Sequence, residues 1–196
     1  SCIVNTWTAG GNGFSLRSAK SVFINISEAT ICDLVLWGRL YALLAPHREL
    51  CTKLCFEIAE SIMSSHMDYV VNFVKRFREL GVRIALDACG EGQANTFFAV
   101  TKVEPDFIKV SAQYTRSICE SASSGVVVKS MLTLAKDLKI KTIALNVENA
   151  KEYAKFQELG VDYCQGYYVS SVEKAGLTSI SPASANDGCI KNIARG

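Results

Sequence analysis

The stretch Gly81-Val-Arg-Ile-Ala-Leu-Asp-Ala-Cys-Gly-Glu-Gly92 decides the fold. A helix ends at Gly81, and a short buried strand follows. The strand delivers an aspartate, Asp87, into a loop punctuated by Gly90 and Gly92. An acid at the C-terminal end of a parallel strand is where α/β folds keep their chemistry.

Working outward, residues 65–80 place Val70, Phe73, Val74, Phe77 and Leu80 on one face of an amphipathic helix, with Gly81 as its stop. Leu54-Cys-Phe-Glu-Ile-Ala59 reads as a strand ending in Glu57 and Glu60, and Val22-Phe-Ile-Asn-Ile26 as an earlier one. Between them a helix starts at Ser27 or Glu28 with Ile31, Leu34, Val35, Tyr41 and Leu44 on its period, and Pro46 stops it. Downstream, Asn95–Lys102 is a short helix and Pro105 introduces a strand over 106–110. A helical region covers 112–139, with a break expected at Ser123-Ser-Gly125. A strand over 141–145, a helix over 150–159 closed by Gly160, and a last strand over 161–168 complete the pattern. Residues 1–20 hold a candidate strand at Cys2–Thr8 and a glycine-rich loop; residues 171–196 are rich in Ser, Ala, Gly and Asn and read as a tail with little core.

Strand and helix alternate throughout, and Glu79-Leu-Gly-Val82 recurs as Glu158-Leu-Gly-Val161. Alternation demands parallel strands with right-handed crossovers, in a doubly wound sheet or a (β/α) barrel. No Gly-x-Gly-x-x-Gly opens a helix after a strand, which weakens the dinucleotide-binding sheet. Polar residues close nearly every strand: Asn25, Glu57, Asp87, Lys109, Asn146 and Gln165. Such groups converging on one mouth favour the barrel.

Composition bounds the function classes. The chain is 49% hydrophobic and 20% charged, hence globular. A net charge of +2 argues neither for nor against a nucleic-acid surface, and no Lys/Arg run suggests one, so no nucleic-acid partner is expected. No apolar run reaches the ~18 residues of a membrane span, and the N-terminal residues lack the basic region of a signal peptide. Of the eight cysteines only Cys51 and Cys55 lie close in sequence, without clustered histidines, so reduced cytosolic thiols are expected rather than zinc. His47 and His66 read as isolated surface residues, and Tyr167 and Tyr168 as packing.

Four segments carry a resemblance: Phe56-Glu-Ile-Ala-Glu-Ser61, Gly81–Asp87, Pro105-Asp-Phe-Ile-Lys109, and Leu159-Gly-Val-Asp-Tyr-Cys-Gln-Gly-Tyr-Tyr168. In this order and spacing they resemble the EAL domain, the family of bacterial cyclic-di-GMP phosphodiesterases and their inactive relatives. The resemblance implies an α/β fold, a TIM-like (β/α) barrel of EAL type. It covers residues 21–170, between an irregular segment 1–20 and the tail 171–196. The family's first two strands, with the Glu-Ala-Leu motif itself, find no match, so the barrel is expected to be incomplete or modified at its N-terminal strands.

Active members are similar in holding two Mg or Mn ions at the mouth. By resemblance Asn25, Glu57 and Asp87 stand at metal-ligand positions, Lys109 at the catalytic lysine, Gln165 at a late ligand-binding Gln, and Glu148 at the last Glu of Glu-Gly-Val-Glu. Glu60 matches the second Glu of Glu-x-x-Glu, with a loop or dimer contact as its implied role. The departures are Ala88 and Cys89 in place of Asp-Phe, Glu91–Asn95 in place of Thr-Gly-Tyr-Ser-Ser, Ser111 in place of Asp, and Leu145 and Asn146 in place of Glu-Gly. Fewer carboxylates leave two dications poorly compensated.

On this reading Asp87, Glu57 and Asn25 are vestigial ligands, and Lys109 pairs with Asp87 or Glu57 across the mouth. The expectation is a domain that is not an enzyme and needs no cofactor: a cytoplasmic regulatory or protein-interaction module of cyclic-di-GMP signalling. Its partner is an unnamed protein, with a homodimer expected because an incomplete barrel exposes strand edges. The alternatives are a cyclic-di-GMP receptor that binds without hydrolysis and a Mg- or Mn-dependent phosphodiesterase.

Overall fold

A computed structural model describes residues 21–91, 96–169, 176–179 and 190–192. The candidate strand Cys2–Thr8 and loop residues 92–95 lie outside these. Six parallel strands run in chain order: β1 (Val22–Asn25), β2 (Leu54–Ala59), β3 (Arg83–Cys89), β4 (Phe107–Val110), β5 (Lys141–Ala144) and β6 (Tyr163–Cys164). Helices α1 (Glu28–Cys32), α2 (Leu34–Leu44), a 3₁₀ turn (Ala45–His47) and α3 (Arg48–Cys51) join β1 to β2. Helix α4 (Glu60–Arg78) follows β2, and α5 (Thr96–Val103) follows β3. Helices α6 (Ala112–Ser117) and α7 (Ala122–Asp137) follow β4, and α8 (Ala150–Leu159) follows β5.

The ring closes through the C-terminal segment. Strand β7 (Gly176–Ser179) runs antiparallel to β6 and to β8 (Ile190–Asn192), and β8 lies parallel to β1. Residues 171–196, read as a tail, therefore contribute two strands of the barrel. The edges of β1 and β6 are paired within the chain, so open edges no longer argue for a homodimer.

Local chemistry sets the element ends. Ser27 caps α1 by accepting from Thr30 N at 3.2 Å. Asp33 then accepts from Val35 N and Leu36 N at 2.8 and 3.2 Å, which splits the single helix expected before Pro46 into two. Gly160 closes α8 in the left-handed conformation at φ 82°. The expected break at Ser123-Ser-Gly125 falls instead at residues 118–121, because Ser121 caps α7 through Ser124 N. Two aspartates fix the strands at the lower end by one device: Asp106 accepts from Ile84 N at 2.8 Å, and Asp162 from Thr142 N at 2.9 Å.

Side chains alternate along each strand. The inward layer is Phe23, Cys55, Ala85, Phe107 and Ile143, with Tyr163 packed against it. The outward residues Phe56, Ile58, Ile84 and Leu86 meet the helices, where Phe73 and Phe77 of α4 are fully buried. No helix among the described residues is long and apolar enough to cross a membrane.

At the upper end β5 and β6 approach so closely that Val147 N donates to Gln165 O at 3.0 Å and Tyr168 N to Val147 O at 3.1 Å. A Cβ on Gly166 would lie 2.3 Å from both the N and the O of Val147. Backbone cannot swing aside as a side-chain tip can. Gly166→Ala is expected to destabilise the fold by about 2–3 kcal/mol, read as a lower urea midpoint. An unchanged midpoint would mean these strand ends are free to separate.

Cys55, Cys89 and Cys164 are fully buried. Burial pushes the first two thiols well above the ordinary value, with nearby carboxylates adding to it, and pushes Cys164 up to about 12. A thiol that holds its proton more tightly when folded loses stability for the fold as pH rises past the unfolded value of 9.0. For Cys164 the expected cost is about 1.4 kcal/mol at pH 10 relative to pH 8. Cys164→Ala should reduce that alkaline loss in a pH series of urea melts; an identical slope in wild type and variant would contradict the assignment.

Candidate functional site

One residue pair above the apolar inner layer lies a polar one. Two positions beyond Phe23, Cys55, Ala85, Phe107, Ile143 and Tyr163 stand Asn25, Glu57, Asp87, Lys109, Leu145 and Gln165. The sequence-derived ring is thus a register-matched layer; Asn25 is the direct neighbour of Glu57 in the ladder. Asn146, counted among the strand ends, is instead exposed and adopts a left-handed turn at φ 55°.

Lys109 is the centre of this layer. Its Nζ donates to Glu57 Oε1 at 2.6 Å and lies 3.2 Å from Asp87 Oδ1. Lys109 is 4% exposed and Glu57 2%, while the Asp87 side chain is 13% exposed. Buried charges of this kind persist only when paired. The three groups sum to one negative charge. Above them Asn25 is exposed, and Gln165 presents a buried Oε1 that accepts no hydrogen bond. Leu145 fills the ring's remaining position with an apolar side chain. Glu148 is exposed on the approach to α8, where its backbone N–H donates to Glu152 at 2.8 Å; it is not part of the buried trio.

The loop after β3 is held from below. The β3–β4 register shifts between Leu86 and Cys89, and Ala88 sits in the left-handed region at φ 54°. Glu60, 3% exposed at the start of α4, accepts from Gly90 N at 3.0 Å and from the Thr96 hydroxyl. Tyr114 OH donates to Gly90 O at 2.9 Å, and Ser111 Oγ to Glu91 Oε1 at 2.7 Å. The sequence reading gave Glu60 a loop contact by resemblance but missed Tyr114 and Glu91. Nothing in their spacing marks them, because they act across 24 and 20 positions of sequence.

These oxygens bear on whether metal fits. Asn25 and the unpartnered Gln165 Oε1 belong to the same layer as the Glu57–Lys109–Asp87 trio, whose one net negative charge could be met by one hard divalent cation. A pair of cations is not matched. Among the described residues no three His, Cys, Asp or Glu side chains gather for metal, and Ala88 and Leu145 offer no donor.

Comparison with known proteins places this geometry. The EAL domain family pattern matches residues 6–171. The cyclic di-GMP phosphodiesterase PdeF of Escherichia coli K12 is 29% identical over 146 residues, 74% of this chain and 19% of PdeF. The blue light- and temperature-regulated antirepressor BluF of the same strain is 23% identical over 125 residues, 64% of this chain and 31% of BluF. Among solved structures, Klebsiella pneumoniae BlrP1 with manganese and cyclic-di-GMP superposes at TM-score 0.69 with 26% identity, covering 77% of this chain and 38% of BlrP1. The chain spans less than a third of the length of these two curated relatives. The expectation that the chain is not an enzyme is corrected here. Relatives including PdeF are named cyclic di-GMP phosphodiesterases, which points to an enzyme. Ala88 and Leu145 describe the composition of the mouth and do not decide its activity.

Proposed function

The chain belongs to the EAL domain family, and from that premise we propose that it engages cyclic-di-GMP at the barrel mouth, with a ligand phosphodiester lying over Lys109. The supporting observation is the buried Glu57–Lys109–Asp87 trio, register-matched with Asn25 and Gln165. Glu57 and Asp87 hold the ammonium at the centre of the mouth. Asn25 and Gln165 supply neutral amides beside it, fit for ligand hydroxyl or phosphate groups. Because the trio carries net negative charge, an anionic ligand binds it better once a cation joins. Asn25, Glu57, Asp87 and Gln165 are the residues that would hold one. A bound Mg or Mn ion would polarise the phosphodiester and acidify a water.

Calorimetric titration with cyclic-di-GMP, with and without Mn, tests this. Binding that is strengthened at least about tenfold by the metal is expected, since one dication reverses the sign of the local charge. No binding under either condition would sink the reading. Linear product formed in the same cell reports whether the chain shares the activity that PdeF is named for.

A second reading has its own support in BluF, a relative named as an antirepressor. In it the domain works as a cytoplasmic regulatory module whose output is contact with a protein partner. A partner retained only in the presence of cyclic-di-GMP would join the two readings.

A further inference from the structure

At the opposite end of the barrel from the mouth lies a cleft of about 590 Å³ between α7, the turn into β5 and the turn into β6. Helix α7 offers it Lys129, Leu132, Thr133 and Lys136, the i, i+3, i+4, i+7 face of one helix. Lys139 and Lys141 come from the next turn and strand. Leu132 and Ile140, each 7% exposed, form an apolar floor.

The charge is one-sided. Four lysines line the cleft against one carboxylate, Asp162. That carboxylate is already committed: it pairs with Lys141 at 2.6 Å and accepts from Thr142 N and Oγ1 at 2.9 Å each. The pairing raises the pKa of Lys141, chiefly through the hydrogen bond it donates to Asp162. Among the described residues Lys129, Lys136 and Lys139 make no ion pair. Lysines near helix C-termini also complement helix dipoles. Two half-charges do not account for three unpaired full charges converging on a concave, apolar-floored cleft.

We propose that this cleft is a docking site for an acidic peptide segment of a partner protein, one that sets carboxylates on Lys129, Lys136 and Lys139 and an aliphatic side chain on Leu132 and Ile140. The lining contains no aromatic side chain on which a base would stack, which disfavours a nucleotide. The concave, partly apolar surface suits a chain segment better than a flat membrane. The site is remote from Lys109 and independent of the reading given to the mouth.

The test is fluorescence polarisation of a labelled twelve-residue peptide of glutamates interrupted by two leucines, titrated with the full chain. Saturable binding that weakens steeply with salt is expected. Lys136→Glu/Lys139→Glu should weaken it by at least about tenfold, and Lys136→Arg/Lys139→Arg should retain it. Both side chains being replaced are exposed, and circular dichroism with unchanged cyclic-di-GMP titration would confirm an intact fold. Equal affinity for wild type and the charge reversal would overturn the proposal. So would binding of inorganic tripolyphosphate or phosphatidylglycerol vesicles that the reversal abolishes while the peptide fails to bind.

Discussion

Lys109→Met is expected to lower stability by about 3–5 kcal/mol, because it leaves Glu57 and Asp87 facing one another without their cation. The Glu57 side chain is 1% exposed, so water cannot replace the lost charge. Methionine roughly conserves the volume, which keeps cavity formation out of the result. The coupling is tested by a cycle: Glu57→Gln/Lys109→Met removes one carboxylate together with the cation and should recover at least about half of the loss. Urea midpoints of the four proteins decide it. A single variant within about 1 kcal/mol of wild type would show that the ammonium does not compensate the carboxylates. Cyclic-di-GMP binding by the doubly substituted, refolded protein separates the two roles of Lys109. Retained stability with lost affinity would mark it as a ligand contact as well as a counter-charge.

That the trio was legible at all follows from strand periodicity. Glu57, Asp87 and Lys109 each interrupt an apolar run, and a two-residue repeat puts them one layer above Cys55, Ala85 and Phe107. The long strands could be read for the same reason. What could not be read depends on partners distant in sequence. Strands β7 and β8 lie in a Ser-, Ala- and Gly-rich segment with weak strand propensity; pairing with β6 and β1 gives them their conformation. The helix break at Ser121 was misplaced to Gly125 because glycine is the louder signal, yet a Cβ at Gly125 would meet nothing within 4 Å and the helix passes through it. A non-helical residue in α4, His66 at φ −136° and ψ 34°, gave no sequence sign either. Its ring meets Glu28 of α1 at 2.8 Å, a contact across thirty-eight positions.

That kink lies between Glu60, which holds the loop at the mouth, and Phe73, the site of the other large effect. Phe73→Ala should cost about 3–5 kcal/mol, lowering Tm by roughly 10 °C. Phe73 is completely buried, with ring centroids of Phe77, Trp37 and Phe56 at 4.5, 5.6 and 5.9 Å. Truncation leaves a cavity walled by three rings, and rings collapse into a void poorly because they are rigid. Trp37 reports locally: its Nε1 donates to Ile31 O at 2.8 Å, and loss of the ring it packs on should shift its emission to the red. Phe73→Leu, which keeps most of the volume, should lose less than half as much. The mouth should hardly notice. Glu60, which holds Gly90, belongs to the turn of α4 before His66, whereas Phe73 lies beyond it. Cyclic-di-GMP affinity of folded Phe73→Ala, measured at low temperature, is therefore expected within about threefold of wild type. A loss of tenfold or more would mean that the packing of α4 is transmitted through the kink to the loop, and that core and mouth form one unit.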